Sequence, residues 1–147
     1  IAGKMMEKGI DYSDIIDNTF YKKTYVQNQI LGRALLESVL FYDGKCIFTT
    51  VTIDEMEFYG VTGRELGGIV EQLRLTDGVE VAIFLYQTGE EEYKVSLRSK
   101  KKIDVAAIAT QFGGGGHVRA AGYTAKGSVY QIINSIGELI EKQYNAM

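Results

Sequence analysis

Four consecutive glycines, Gly113 to Gly116, followed at once by His117, constrain this chain more than any other stretch of it. They come directly after a helical pattern, and one glycine in the left-handed conformation suffices to end a helix. Three more add a conformational entropy cost that helix termination does not explain. A glycine run lets successive backbone N–H groups converge on an anion and removes side chains that would hold a phosphate away. His117 adds a ring donor at the rim and Arg119 a second cation, and a helical turn starting near His117 would bring free N–H groups of its own. The same run also serves as a flexible hinge, since loops are glycine-rich too.

Neither common phosphate motif is present. No Lys-Ser or Lys-Thr follows the glycines, as a P-loop requires. A dinucleotide-binding fingerprint follows a strand, whereas this run follows a helix.

The second constraint is the alternation in Tyr93 to Ser99. Tyr93, Val95 and Leu97 point one way, and Lys94, Ser96 and Arg98 point the other. The first set belongs to a core; the second puts a hydroxyl and cations on one open face. A planar guanidinium grips a phosphate through two hydrogen bonds, which a Lys cannot do. Arg98 is therefore the natural partner of the glycine run, with Ser96 on the same strand face and Ser99 at the strand's end. The plainer alternative for Arg98 is a solvated surface side chain.

The net charge of −3 looks unfavourable for an anion binder, but the distribution is uneven. Lys94 to Lys126 carries +6, with Asp104 as its one acid, and the remainder carries −9. Local field decides whether an anion is attracted. His117 is the one histidine and Cys46 the one cysteine, so neither a metal cluster nor a Cys–His pair is expected in this chain. A lone base also lacks an orienting partner, so substrate contact by His117 is preferred to catalysis. Cys46 sits in an apolar run and reads as a buried thiol in a reducing cytoplasm. No apolar run approaches the roughly 20 residues of a membrane helix.

The 147 residues suffice for one domain with a helical connector. Ile1 to Lys8 and a stripe of Ile15, Ile16, Thr19 and Phe20 read as helices, and Thr24 to about Leu36 continues helically. Strands are expected over Glu37–Tyr42 and Lys45–Thr52 about the Asp43-Gly44 turn, and a central strand over Val79–Tyr86. Gln87 to Glu92 reads as a polar turn, and Ala121–Ala125 as a short strand. Between the strands lie a short helix over Ile53–Tyr59 and a longer one over Thr62–Leu75, weakened by Gly67 and Gly68. Asp104 caps a helix carrying Val105, Ile108, Ala109 and Phe112, and Ser128 with Gln131 forms a capping box for the last helix. The sum is an α/β fold: a mixed sheet of about five strands flanked by helices, with residues 1–30 as connector and 31–147 as the domain. Translation starts on Met, so a chain opening at Ile1 is expected to be part of a longer protein.

Val95-Ser96-Leu97-Arg98-Ser99, Asp104-Val105-Ala106-Ala107-Ile108-Ala109 and Phe112 to Gly122, with the Gly-His junction most specific, together resemble the C-terminal, DHH-associated domain of DHH phosphoesterases. The bacterial branch that cleaves short oligoribonucleotides and dephosphorylates pAp is the nearest likeness, from about Leu31 onward. The resemblance implies a division of labour. The family's N-terminal DHH domain holds two metal ions, usually Mn²⁺, that activate water. The C-terminal domain holds the substrate, a nucleotide or short single-stranded RNA. By that likeness Ser96, Arg98 and Ser99 face phosphate or nucleotide, the amides of Gly113, Gly114, Gly115 and Gly116 cradle phosphate, and His117 reaches the same group. Ala120 and Ala121 keep the approach clear. No Asp-His-His triplet is present, so this chain is expected to supply no catalytic residue and no metal ligand, and to be inactive alone. The partners implied are the chain's own N-terminal DHH domain and the substrate, with a homodimer hinted at only by the connector helices. A non-catalytic nucleic-acid-binding module, such as the related C-terminal domain of alanyl-tRNA synthetases, is the alternative.

Overall fold

In the computed structural model, which describes residues 23–147, strands β1 (Val39–Phe41), β2 (Cys46–Val51), β3 (Val81–Gly89), β4 (Glu92–Ser99), β5 (Gly115–His117) and β6 (Ala120–Lys126) form one sheet. Their order is β1-β2-β3-β4-β6-β5. β2 and β3 run parallel and every other pair antiparallel, so the sheet is mixed as expected. The helical reading of Ile1–Lys8 and of Ile15–Phe20 lies outside the described residues.

β3 is the centre because Val81 to Leu85 is apolar at every position, and all five residues are buried. Helices α4 (Val105–Gln111) and α5 (Val129–Asn145) cover one face of the sheet. There Ile132, Ile133, Ile136 and Ile140 of α5 pack on Ile83, Leu85, Val95 and Leu97. Each such side chain contributes about 1.5–3 kcal/mol on burial. The other face is covered by α1 (Tyr25–Leu36), α2 (Ile53–Tyr59) and α3 (Ile69–Arg74), whose Ile30, Met56, Ile69 and Leu73 pack on Ile47, Ala82 and Phe84.

Helix ends follow the capping chemistry of the sequence. Thr24, Thr52 and Ser128 each form a capping box, with Gln27, Glu55 and Gln131 respectively, and Asp104 caps α4 through Ala107 N–H.

Three elements differ from expectation. Six strands form rather than about five, because Gly115–His117 pairs with β6 although glycine carries no strand signal. The single helix expected over Thr62–Leu75 is split into a 3-10 turn at Gly63–Leu66 and α3, since Gly68 is left-handed at φ 96°. The turn expected over Gln87–Glu92 is mostly strand, tightened to Glu90 and Glu91 by a bulge between Gln87 and Gly89. Helix α1 runs through residue 30, and both Ile30 and Ala34 are buried in the second core. The buried Thr49 hydroxyl donates to Ala34 C=O at 2.7 Å, tying α1 to β2.

Candidate functional site

Helices α1 to α3 lie over β2 and β3, and α3 also reaches β4, while the same face of β6 and β5 bears no packed helix among the described residues. The strand register fixes what stands on it. Arg98 of β4 is opposite Ala120 of β6, which is opposite His117 of β5. Ser96 is opposite Gly122, which is opposite Gly115. Partners directly opposite share a face. The sheet thus brings Ser96, Arg98, Gly115 and His117 together in two adjacent rows, floored by Ala120 and Gly122. Small residues at these two floor positions leave the rows open to a ligand.

The other glycines have folding reasons of their own. Gly113, at φ 89°, ends α4, with its N–H donating to Thr110 C=O at 3.1 Å and Gly114 N–H to Ala109 C=O at 2.9 Å. This is the paired 6→1 and 5→2 pattern of a Schellman cap. A Cβ on Gly114 would lie 2.1 Å from Gly122 O and 2.4 Å from Tyr123 Cβ. A Cβ on Gly116, at φ 147°, would lie 2.6 Å from Ala120 O. Only Gly115 of the four combines ordinary φ with empty space around its missing Cβ. The run is therefore a helix stop leading into an edge strand, and helix capping with close backbone approach explains three of its glycines. No helix begins at His117; it closes a two-residue hairpin turn through Val118 and Arg119. As the edge strand among the described residues, β5 keeps one side of its backbone unpaired by any strand.

Arg98 does not stand free. Its Nε donates to Glu71 Oε2 at 2.9 Å and its Nη1 to Leu97 C=O at 3.0 Å. Glu71, on α3, is also gripped by Arg74 at 3.0 Å. Burial opposes ionisation of Glu71, but the hydrogen bonds and charges of Arg74 and Arg98 outweigh it and hold its pKa below the usual carboxylate range. Among the described residues the clamp engages Nε and Nη1 but not Nη2, so the guanidinium is oriented rather than consumed.

Ser99 and Arg119 are placed elsewhere. Ser99 is buried at 2 % exposure, and its hydroxyl donates to Ile103 C=O at 2.6 Å. Arg119 donates to Ser99 Oγ, to Ile103 C=O and to Lys101 C=O, fastening the segment after β4 to the hairpin turn. Glu80 completes this knot: its carboxylate accepts from the N–H groups of Lys101, Lys102 and Ile103 at 2.6–3.2 Å. Burial would raise its pKa, yet those amides and the nearby Arg119 charge hold it down. Both residues thus brace the end of β4 behind the open rows. Cys46 is fully buried, and burial pushes its thiol up to about 12, which leaves it inert. The Tyr123 ring stacks on Phe112 at 4.9 Å on the face covered by α4 and α5, opposite the rows.

Sequence reasoning missed Glu71 and Glu80. Glu71 lies 27 residues from Arg98 on a separate helix, so no local pattern could link them. Glu80 had a weak signal, an acid abutting a wholly apolar strand. Gly122, a lone glycine inside a strand, carried the usual mark of close approach, and a Cβ there would lie 2.8 Å from Val95 O. Among the described residues no group of three or more His, Cys, Asp or Glu side chains could hold a metal ion, and no helix is long and apolar enough to cross a membrane.

The bifunctional oligoribonuclease and PAP phosphatase NrnA of Thermus thermophilus is 32% identical over 128 residues, covering 86% of this chain and 37% of that protein. The exopolyphosphatase-related protein of Bacteroides fragilis superposes with a TM-score of 0.80 at 24% identity, over 94% of this chain and 41% of that one. The pGpG-specific phosphodiesterase PggH of Vibrio cholerae superposes at 0.61 with 10% identity, over 93% of this chain and 47% of that one. These last two likenesses establish the fold. The chain spans less than half the length of each relative. The DHHA1 domain model matches residues 43–143, and the chain belongs to that DHH-associated family.

Proposed function

We propose that this chain is the substrate-binding part of a metal-dependent phosphoesterase acting on short oligoribonucleotides or small nucleotides such as pAp and dinucleotides. One observation carries the reading: the register puts Arg98, Ala120 and His117 in one row, beside Ser96, Gly122 and Gly115, where no helix packs over β6 and β5 among the described residues. A phosphate on the first row meets the oriented guanidinium of Arg98 and the ring of His117, with the edge amides of β5 beside it. Ala120 and Gly122 let it approach the backbone. The likeness to NrnA supports the substrate class.

In this reading Gly113, Gly114 and Gly116 shape the site through the backbone, Ser99 and Arg119 brace it, and Ser96, Arg98, Gly115 and His117 contact ligand. The water-activating chemistry is supplied by two metal ions, Mn²⁺ by family likeness, on an N-terminal DHH domain of the same cytoplasmic protein. A second copy of the chain is proposed as a further partner on the hint of the connector helices alone.

Calorimetric titration of the chain with pAp and with a dinucleotide tests the proposal. Arg98→Ala and His117→Ala are expected to weaken binding of both ligands by about tenfold or more, as loss of a charge-assisted contact does. Unchanged affinity in both variants overturns the assignment. Purified chain is expected to release no phosphate with Mn²⁺; measurable hydrolysis would overturn the division of labour.

A further inference from the structure

The open face does not end at Ser96. Two residues back along β4 stands Lys94, opposite Thr124 of β6, and both are exposed. This third row lies on the same face as the other two, because side chains two apart on a strand share a face. Tyr86 of β3 is also opposite Lys94, and its ring packs so closely on the 3-10 turn that a Cβ at Gly63 would lie 2.6 Å from it. Tyr86 thus walls the row on the side of the helices. A fourth row pairs Glu92 with Lys126, where one acid and one base cancel.

Successive rows are about 6.8 Å apart at 3.4 Å per strand residue. That is close to the phosphate repeat of an extended single strand, whose backbone a charged groove can track. The rows carry, in order, Arg98 with His117, then Ser96 with Gly122 and Gly115, then Lys94 with Thr124. Cation, hydroxyl with bare backbone, and cation with hydroxyl follow at one spacing, and the net charge then falls to zero.

We propose that Lys94 and Thr124 form a third phosphate subsite, which fits this face to a single-stranded oligoribonucleotide carrying three phosphates. The proposal rests on reading the Arg98–His117 row as the first phosphate position. Lys94 binds the third phosphate as a point charge and Thr124 donates its hydroxyl to it. Glu92 sets the end of the strip, so a fourth phosphate gains nothing. The face is a length gauge as well as an anchor.

Calorimetric titration of the chain with 5′-phosphorylated mono-, di-, tri- and tetranucleotides at several salt concentrations provides the test. Affinity is expected to rise through three phosphates and level at four. Lys94→Ala is expected to weaken the trinucleotide about three- to tenfold and to flatten its salt dependence by about 0.7 in log–log slope, the loss of one phosphate contact. It leaves mono- and dinucleotide binding unchanged. If Lys94→Ala weakens all lengths equally, or none, while Arg98→Ala still abolishes binding, the subsite is wrong and the first row stands. If Arg98→Ala changes no ligand's affinity, the site reading fails and the subsite with it.

Discussion

Gly114→Ala and Gly115→Ala, adjacent and chemically identical changes, are expected to behave in opposite ways. At Gly114 the new methyl would sit 2.1 Å from Gly122 O and 2.4 Å from Tyr123 Cβ, more than an ångström inside normal contact. The first of these atoms is backbone, so no rotamer change relieves it. Retreat is blocked on both sides. Gly114 N–H is held to Ala109 C=O at 2.9 Å, and the Tyr123 ring is stacked on Phe112 at the end of α4. Either the Schellman cap or the β5–β6 pairing must give way. Overpacking that shifts backbone costs about 1–3 kcal/mol, and this contact belongs at the top of that range. A loss of about 3 kcal/mol lowers Tm by roughly 10 °C in a domain of this size. At Gly115 the methyl meets nothing within 4 Å and φ is not positive, so stability should stay within about 0.5 kcal/mol of the parent. That methyl would instead stand on the open face beside Gly122 and Ser96, and dinucleotide affinity is expected to fall. Urea denaturation and calorimetric titration of both variants separate the two effects. Equal stability of the two proteins would refute the assignment of Gly114 to folding and Gly115 to binding.

Three further outcomes follow from the charged groups. Glu80→Gln keeps the size of the side chain but turns an amide NH₂ toward backbone donors, and is expected to cost about 3 kcal/mol at pH 7 by urea denaturation. Because the folded pKa of Glu80 is depressed, its contribution is complete above the ordinary carboxylate value near about 4 and is lost as pH falls through the folded value; the gap between parent and variant should therefore narrow on acidification below about pH 4. Arg119→Lys loses the fork that spans Ser99, Ile103 and Lys101, and is expected to lower stability by about 1–2 kcal/mol while nucleotide affinity of the folded protein stays within twofold. Glu71→Gln retains an acceptor for Arg98 but removes a half-exposed negative charge beside the phosphate row; stability should change by less than about 1 kcal/mol. Dinucleotide affinity of that variant should rise about two- to threefold at low salt, with the gain fading as salt screens it. A fall in affinity instead would mean that the charge itself orients Arg98.

Local chemistry carries most of the helices and strands. Thr24, Thr52, Asp104 and Ser128 mark helix starts because a side-chain oxygen meets an orphan N–H three residues on, and such pairs are visible in the chain order. The period of two in Tyr93–Ser99 places Ser96 and Arg98 on one face before any partner strand is known. Likewise the unbroken apolar Val81–Leu85 announces a strand buried on both sides. What the pattern cannot supply is which face a helix leaves uncovered, or which distant strand lies opposite.

The glycine run is where the two levels part. Its composition alone marks a place where the backbone must come close to something. Tertiary structure decides what: for Gly114 and Gly116 it is β6 of the same sheet, for Gly113 the end of α4, and for Gly115 open space. Strand pairing likewise sets His117 in line with Arg98, 19 positions earlier, and sends Arg119 into a brace and Arg98 onto Glu71. These are contacts across large sequence separations, fixed by register and packing rather than by any local preference. The sequence determined that this face would carry Ser96 and Arg98; the fold decided what stands beside them and kept the floor between them clear.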